Sequence, residues 1–218
     1  MGKDCKLQIH FFDELDSTQL YLQRAIRENK LDSSIMICTS KQTEGIGSRS
    51  NSWTSIEGNL FCSFALKKEM LPKDLKIESA SIYFAYLLKE ILSDYGSDVW
   101  IKWPNDFYIK EKKVGGMITH IVKDYIVCGV GLNLKQAPKE YAVLDKELSI
   151  VPLLEKYKNS IEKKVLWKQV FSKYKLEFDR NKDFFTHTKD GLKVSLSNAI
   201  LEDDGSLSIN GERMYSLR

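Results

Sequence analysis

Apolar residues fall at helical spacing in several stretches and at strand spacing in others. Behind the Asp16-Ser17-Thr18 cluster, Leu22, Ala25 and Ile26 lie one turn apart, so a helix is predicted to start near Ser17, with the small polar residues as its cap. Runs 34–39 and 59–66 are largely apolar and bounded by polar segments, which predicts buried strands. From Leu75 to Leu92 the residues Ile77, Ala80, Phe84, Leu87, Leu88 and Ile91 recur every three or four positions ahead of Gly96, predicting a core-facing helix with a glycine stop. Short runs 99–103, 107–109, 116–122 and 125–130, joined by tight polar turns, predict antiparallel strands. The lysine-rich stretch from Pro152 to Phe178 carries two helical patterns, and beyond about Phe184 short alternating runs punctuated by Asp203-Asp204-Gly205 and Asn210-Gly211 predict a small β unit. The order of elements predicts an α+β fold: a ligand-binding domain over 1–183 and a small β domain over 184–218.

Composition narrows the classes. The chain has 218 residues, of which 43% are hydrophobic and 29% charged, enough for a core that needs no staples. With 33 Lys+Arg against 30 Asp+Glu the formal charge is +3, too small by itself to imply a nucleic-acid partner. No apolar run approaches the roughly 20 residues that cross a bilayer, and the first residues do not resemble a signal peptide, so a soluble cytoplasmic protein is expected. Cys5, Cys38, Cys62 and Cys128 stand singly, which suggests neither a disulfide framework nor a zinc site. His10, His120 and His187 have no metal spacing, and the lysine-rich helices are interspersed with Glu155, Glu162 and Glu177 as solvated faces are.

Three stretches concentrate glycines and polar side chains at element ends. In Gln42-Thr43-Glu44-Gly45-Ile46-Gly47-Ser48-Arg49-Ser50-Asn51-Ser52-Trp53, two glycines one residue apart let the backbone approach a bound group; the same pattern also describes a plain flexible loop. It is neither a Walker A loop nor a dinucleotide-binding fingerprint. Lys102-Trp103-Pro104-Asn105-Asp106 packs a cation, an indole, a proline and an acid into one turn, or else places Trp103 in the core with Asn105-Asp106 merely turning the chain. Lys113-Val114-Gly115-Gly116 and Gly129-Val130-Gly131-Leu132-Asn133 carry glycines that read equally as bulges.

Together with His10-Phe11-Phe12-Asp13-Glu14-Leu15-Asp16-Ser17-Thr18-Gln19, these motifs resemble biotin protein ligases in order and spacing, strongly from Phe11 to Leu134 and loosely in the tail. The pairing of Lys102–Asp106 with Lys113–Gly116 is far more specific than any single glycine pattern. The resemblance implies a core like that of class II aminoacyl-tRNA synthetases, a mixed and mostly antiparallel sheet flanked by helices, with an SH3-like C-terminal domain. It further implies activation of biotin by ATP to biotinoyl-5'-AMP with release of pyrophosphate, then transfer to a lysine of a biotin carboxyl carrier domain of acetyl-CoA carboxylase or a related carboxylase. ATP and Mg2+ would serve as co-substrate, with no tightly bound prosthetic group. Because Asp16-Ser17-Thr18 lies almost at the start of the sequence, the expectation is the monofunctional class with no DNA partner, no membrane partner, and a monomer or weak homodimer.

By the same resemblance, Lys113 is the catalytic cation. Ser17, Thr18, Gln19, Gln42, Gly45, Ile46, Gly47, Ser48, Gly115, Gly116 and Gly131 are expected around biotin. Arg49, Trp53, Lys102, Asn105, Asp106, Lys113 and Asn133 are expected around the adenylate, and Asp106 is a candidate Mg2+ ligand. The family's loop carries arginines where this chain has Ile46 and Ser48, which predicts faster loss of the intermediate unless Arg49 or Lys41 substitutes; Gln19 stands where Asn is usual. Alternatives are a lipoate ligase or acyltransferase of the same superfamily and a non-catalytic biotin-binding module. A Cys62/His120 hydrolase has nothing to orient its pair.

Overall fold

The computed structural model describes residues 6–48, 51–188 and 190–215. β1 (Gln8–Leu15) and β2 (Ile35–Gln42) run parallel, with α1 (Thr18–Arg27) as the crossover. β3 (Leu60–Lys67), β4 (Trp100–Lys102), β5 (Asp106–Ile109), β6 (Lys112–Val122) and β7 (Tyr125–Leu132) complete a seven-stranded sheet in the order β1-β2-β3-β7-β6-β5-β4. Every pairing in this sheet other than β1–β2 is antiparallel, and tight turns join β4 to β5, β5 to β6 and β6 to β7. α2 (Ala80–Asp94), α3 (Ile150–Glu162) and α4 (Trp167–Glu177) supply the helices, so the α+β architecture with a mixed, mostly antiparallel sheet is present as expected.

The two sheet faces differ. On one, Leu22 and Ile26 of α1 pack on Ile37, Ala65 and Val127. On the other, α2 is buried on nearly all sides between the sheet and α3 and α4, as shown by the Phe64 ring 5.0 Å from Phe84 and 5.8 Å from Tyr157. α2 begins five residues later than the periodicity predicted, because Ile77–Ser79 forms a 3-10 turn. Ser79 does not cap it: its hydroxyl donates to the Asp204 carbonyl (2.6 Å). Gly96, at φ 84°, ends the helix as predicted. β1 was not predicted; its paired phenylalanines and acids break the alternation that marks a strand.

Past α4 come β8 (Phe185–His187) with β9 (Lys193–Ser195), and then β10 (Ile200–Leu201), β11 (Leu207–Ile209) and β12 (Glu212–Met214). Leu196, Ala199, Leu207 and Ile209 join the same apolar core as α2. Two indoles tie this tail to the body, Trp167 Nε1 donating to Asp203 O (2.9 Å) and Trp103 Nε1 to Gly205 O (2.8 Å). Among the described residues no helix is long and apolar enough to cross a membrane.

Candidate active site

A cavity opens on the α1 face of the sheet, beyond the N-terminus of that helix. Strand alternation explains its floor. Gly116 pairs with Gly131 and Ile118 with Gly129, while Ser63 pairs with Gly129 from the other side, so these positions share one face. Where glycines replace side chains neighbouring groups come close to the sheet: a Cβ at Gly129 would stand 2.7 Å from Gln19 Oε1, and one at Gly131 would stand 2.6 Å from the Trp53 ring.

One end of the cavity is a neutral polar array at the start of α1. The Asp16 carboxylate accepts from the Ser17 N–H (2.7 Å) and receives the Arg24 guanidinium on both oxygens, which fixes the chain before the helix. The Arg24 hydrogen bond holds the Asp16 carboxyl below the usual carboxylate range. Ser17 caps the helix, accepting from Leu20 N–H (3.4 Å). Next, Thr18 donates from N and Oγ1 to Gln42 Oε1 (2.9 and 3.2 Å) and shares a hydrogen bond with Ser63 Oγ (2.8 Å). The other side of the Gln42 amide donates to Ser55 Oγ (3.2 Å). Gln19 is 2% exposed, donates from Nε2 to Val127 O (3.0 Å) and His120 Nδ1 (3.1 Å), and leaves Oε1 buried without a partner.

The other end is ionic. Asp106 pairs directly with Gly116 across β5 and β6, so both present to the cavity. Between Gly115 and Lys113 the register slips by one residue against β5, a bulge that turns Lys113 to the same face. Its Nζ then lies 2.7 Å from Asp106 Oδ1. A Cβ at Gly116 would stand 2.9 Å from that oxygen and 3.3 Å from the lysine Nζ, so glycine leaves the pair its space. Over the middle, Gly45–Gly47 and Asn51–Trp53 lie against each other through Trp53 N to Gly45 O and Gly47 N to Asn51 O (both 2.7 Å). The Trp53 indole thereby rests against Gly131 with its buried N–H unpaired.

The model of the biotin/lipoate A/B protein ligase family matches residues 11–133, more than half of the chain. The chain belongs to that family. Its fold superposes on the crystal structure of biotin acetyl coenzyme A carboxylase synthetase from Helicobacter pylori with bound biotinylated ATP, with a TM-score of 0.91 and 39% identity over 96% of this chain and 99% of that one. Biotin protein ligase from Aquifex aeolicus, in complex with biotin and ATP, shares the fold at a TM-score of 0.77 and 21% identity, over 97% of this chain and 96% of that one. The bifunctional ligase/repressor BirA of Escherichia coli (strain K12) is 30% identical over 139 residues, 61% of this chain and 42% of that protein. The chain thus matches less than half the length of such relatives.

Within this member of the family, the cavity wall brings together Ser17, Thr18, Gln19, Gln42, Ile46, Gly47 and Ser48 with Trp53, Asp106, Lys113, Gly116 and Gly131. Gly45 and Gly115 stand behind it: a Cβ at Gly45 would meet Trp53 O at 2.6 Å, and one at Gly115 would meet Gly131 O at 2.4 Å. Three residues expected at the adenylate are engaged elsewhere. The Asn105 amide donates to Met117 O (2.8 Å), and that of buried Asn133 donates to Ala142 O (3.2 Å), so both hold backbone. Lys102 lies over the rings of Tyr108 (5.2 Å) and Phe184 (5.7 Å), and burial there lowers its pKa against the pull of Asp106. Lys41, suggested as a substitute cation, is exposed and paired with Glu14 (2.5 Å). Arg49 lies outside the described residues.

Other wall residues were not among the expected site residues: Phe61, Ser63, Met117 and Ile118, and also Gly129 and Val130, which the sequence reading took only as part of a glycine motif. Ser63 carried a usable signal, being a polar residue inside the apolar run Leu60-Phe61-Cys62-Ser63-Phe64-Ala65. The Cys62/His120 pair is ruled out by geometry: Cys62 is buried in the α2-side core, its thiol pKa pushed well up by burial, whereas His120 faces α1.

Proposed function

We propose that this chain joins biotin to ATP as biotinoyl-5'-AMP, releasing pyrophosphate, and passes the biotinyl group to a lysine of a biotin carboxyl carrier domain of acetyl-CoA carboxylase or a related carboxylase. The supporting observation is one cavity with two chemistries: a neutral hydrogen-bonding array at Thr18, Gln19, Gln42 and Ser63, and the Lys113–Asp106 pair opposite it. The likeness to the Helicobacter pylori structure with biotinylated ATP points the same way. A ureido bicycle needs apolar walls and a few matched donors and acceptors, which the first end supplies.

Condensation brings a carboxylate up to a triphosphate, and two unit charges about 4 Å apart repel by roughly 4 kcal/mol at an effective dielectric near 20. Lys113 is the cation at that junction, positioned to bridge the carboxylate and the α-phosphate as negative charge gathers between them. Asp106 holds the ammonium in place beforehand. It is the acidic residue in the wall, and its carboxylate oxygens are the kind of donor that Mg2+ takes together with the nucleotide's own phosphates. Mg2+ bound there would offset phosphate charge. Residues 184–218 serve, in this reading, as the SH3-like domain that braces the Lys102–Asp106 turn. A cytoplasmic setting accords with Cys38, Cys62 and Cys128 being free thiols.

Biotin-dependent ATP–pyrophosphate exchange tests the reading. Lys113→Ala should lower exchange by on the order of a hundredfold or more while circular dichroism and melting stay near wild type. Near-normal exchange by that variant would remove Lys113 from the reaction, and exchange independent of biotin would remove biotin.

A further inference from the structure

Gln19 poses a chemical question that its neighbours answer. Its carbonyl is buried with no partner at the cavity wall, packed against Gly129, where a Cβ would stand 2.7 Å from Oε1. An unpaired buried acceptor is costly unless a ligand donor completes it. An amide can flip to reverse donor and acceptor, so whatever fixes its orientation decides what the cavity offers. Two groups hold the Gln19 nitrogen: the Val127 carbonyl, which only accepts, and His120 Nδ1 at 3.1 Å. Because the amide nitrogen only donates, the ring nitrogen facing it must accept, which places the imidazole proton on Nε2. The two acceptors together use both amide hydrogens and leave Oε1 turned toward Gly129.

We infer that His120 is a positioning residue for substrate selection: through its unprotonated Nδ1 it locks the Gln19 amide so that Oε1 presents an acceptor to an N–H of the bound ring. His120 lies on β6, faces α1 and is itself exposed, so it reaches the cavity only through Gln19. The inner edge of its ring is packed under α1, and that desolvation, followed by the charge of Arg27, lowers its pKa and favours the neutral form. The inference rests on the reading that the cavity takes biotin, whose ureido group supplies such an N–H.

Three variants and one spectrum test it. His120→Leu removes the acceptor and should raise the biotin KM in pyrophosphate exchange about tenfold, with kcat and the ATP KM little changed. His120→Asn places Oδ1 where Nδ1 was and should restore the biotin KM. Gln19→Leu should raise the biotin KM at least as far, and adding His120→Leu to it should have no further effect. A biotin KM unmoved by His120→Leu, equal losses in the Leu and Asn variants, or additive effects with Gln19→Leu would overturn the inference. Side-chain 15N NMR of the ligand-free protein should show His120 Nδ1 unprotonated, and an Nδ1–H tautomer would overturn the lock whatever the cavity binds. If the tautomer is as expected but wild-type exchange does not depend on biotin, the failure lies with the proposed substrate.

Discussion

Ser48 shows what a single exchanged side chain can do. It lines the cavity at a position where the resemblance to biotin protein ligases implies arginine, and Lys41 is engaged with Glu14 instead of compensating. A charge-assisted contact contributes roughly 1.5 to 3 kcal/mol, on the order of ten- to a hundredfold in retention. Ser48→Arg should therefore slow release of biotinoyl-AMP by about that factor in a pulse-chase filter assay. Release as fast as from wild type would mean that the position governs something other than retention. At this scale the sequence was informative where chemistry is carried by motif: Lys113, Asp106, Gln42 and Trp53 all reach the cavity. It was silent on His120, since nothing in local spacing reveals a partner 101 residues away at Gln19. For Asn105 and Asn133 the sequence does not reveal that their amides hold the backbone carbonyls of Met117 and Ala142, because an amide that holds backbone has the same letter as one that holds a ligand.

Among the elements, the β4–β5 turn depends most on its surroundings. Trp103 is 1% exposed, and its backbone N–H donates to Asn181 Oδ1 (2.7 Å), a buried side chain following α4. Asn181→Ala removes the buried hydrogen bond that its Oδ1 accepts from that N–H, at a cost of about 1 to 3 kcal/mol in urea unfolding. Because Asp106 follows three residues later, the variant should also raise the ATP KM; unchanged stability would show that the turn holds itself. Elements with strong periodicity were legible, as α1, α3 and α4 illustrate. Two were not, for physical reasons. β1 is an edge strand with little buried on either face, so it lacks alternation. The bulge that turns Lys113 inward is a register slip, and register depends on a partner strand as much as on the paired glycines that permit it.

In the whole molecule, body and tail share one apolar core, which a reading by segments could not see, because the tail's short strands look self-sufficient in the sequence. The junction also carries a buried charge. Burial would raise the Asp204 carboxyl pKa, but hydrogen bonds from Ser206 Oγ (2.6 Å) and N–H (3.1 Å) and the Arg213 guanidinium (2.9 Å) outweigh it and hold the group below its usual range. A folded pKa below the unfolded one adds stability above about pH 4 and loses it as the pH falls through the folded value. Wild type should consequently lose more of its urea midpoint on acidification than Asp204→Asn, and be the more stable of the two at neutral pH. Parallel curves would assign the acid sensitivity to other carboxylates. The tryptophans divide along a related line. Trp100, Trp103 and Trp167 donate their indole N–H groups to the carbonyls of Lys110, Gly205 and Asp203, inside the frame, whereas Trp53 closes the cavity against Gly131 with its N–H unpaired. Three fluorophores thus sit in the scaffold and the fourth at the cavity, so the share of intrinsic emission that Trp53→Phe removes should respond to ligand binding without any label.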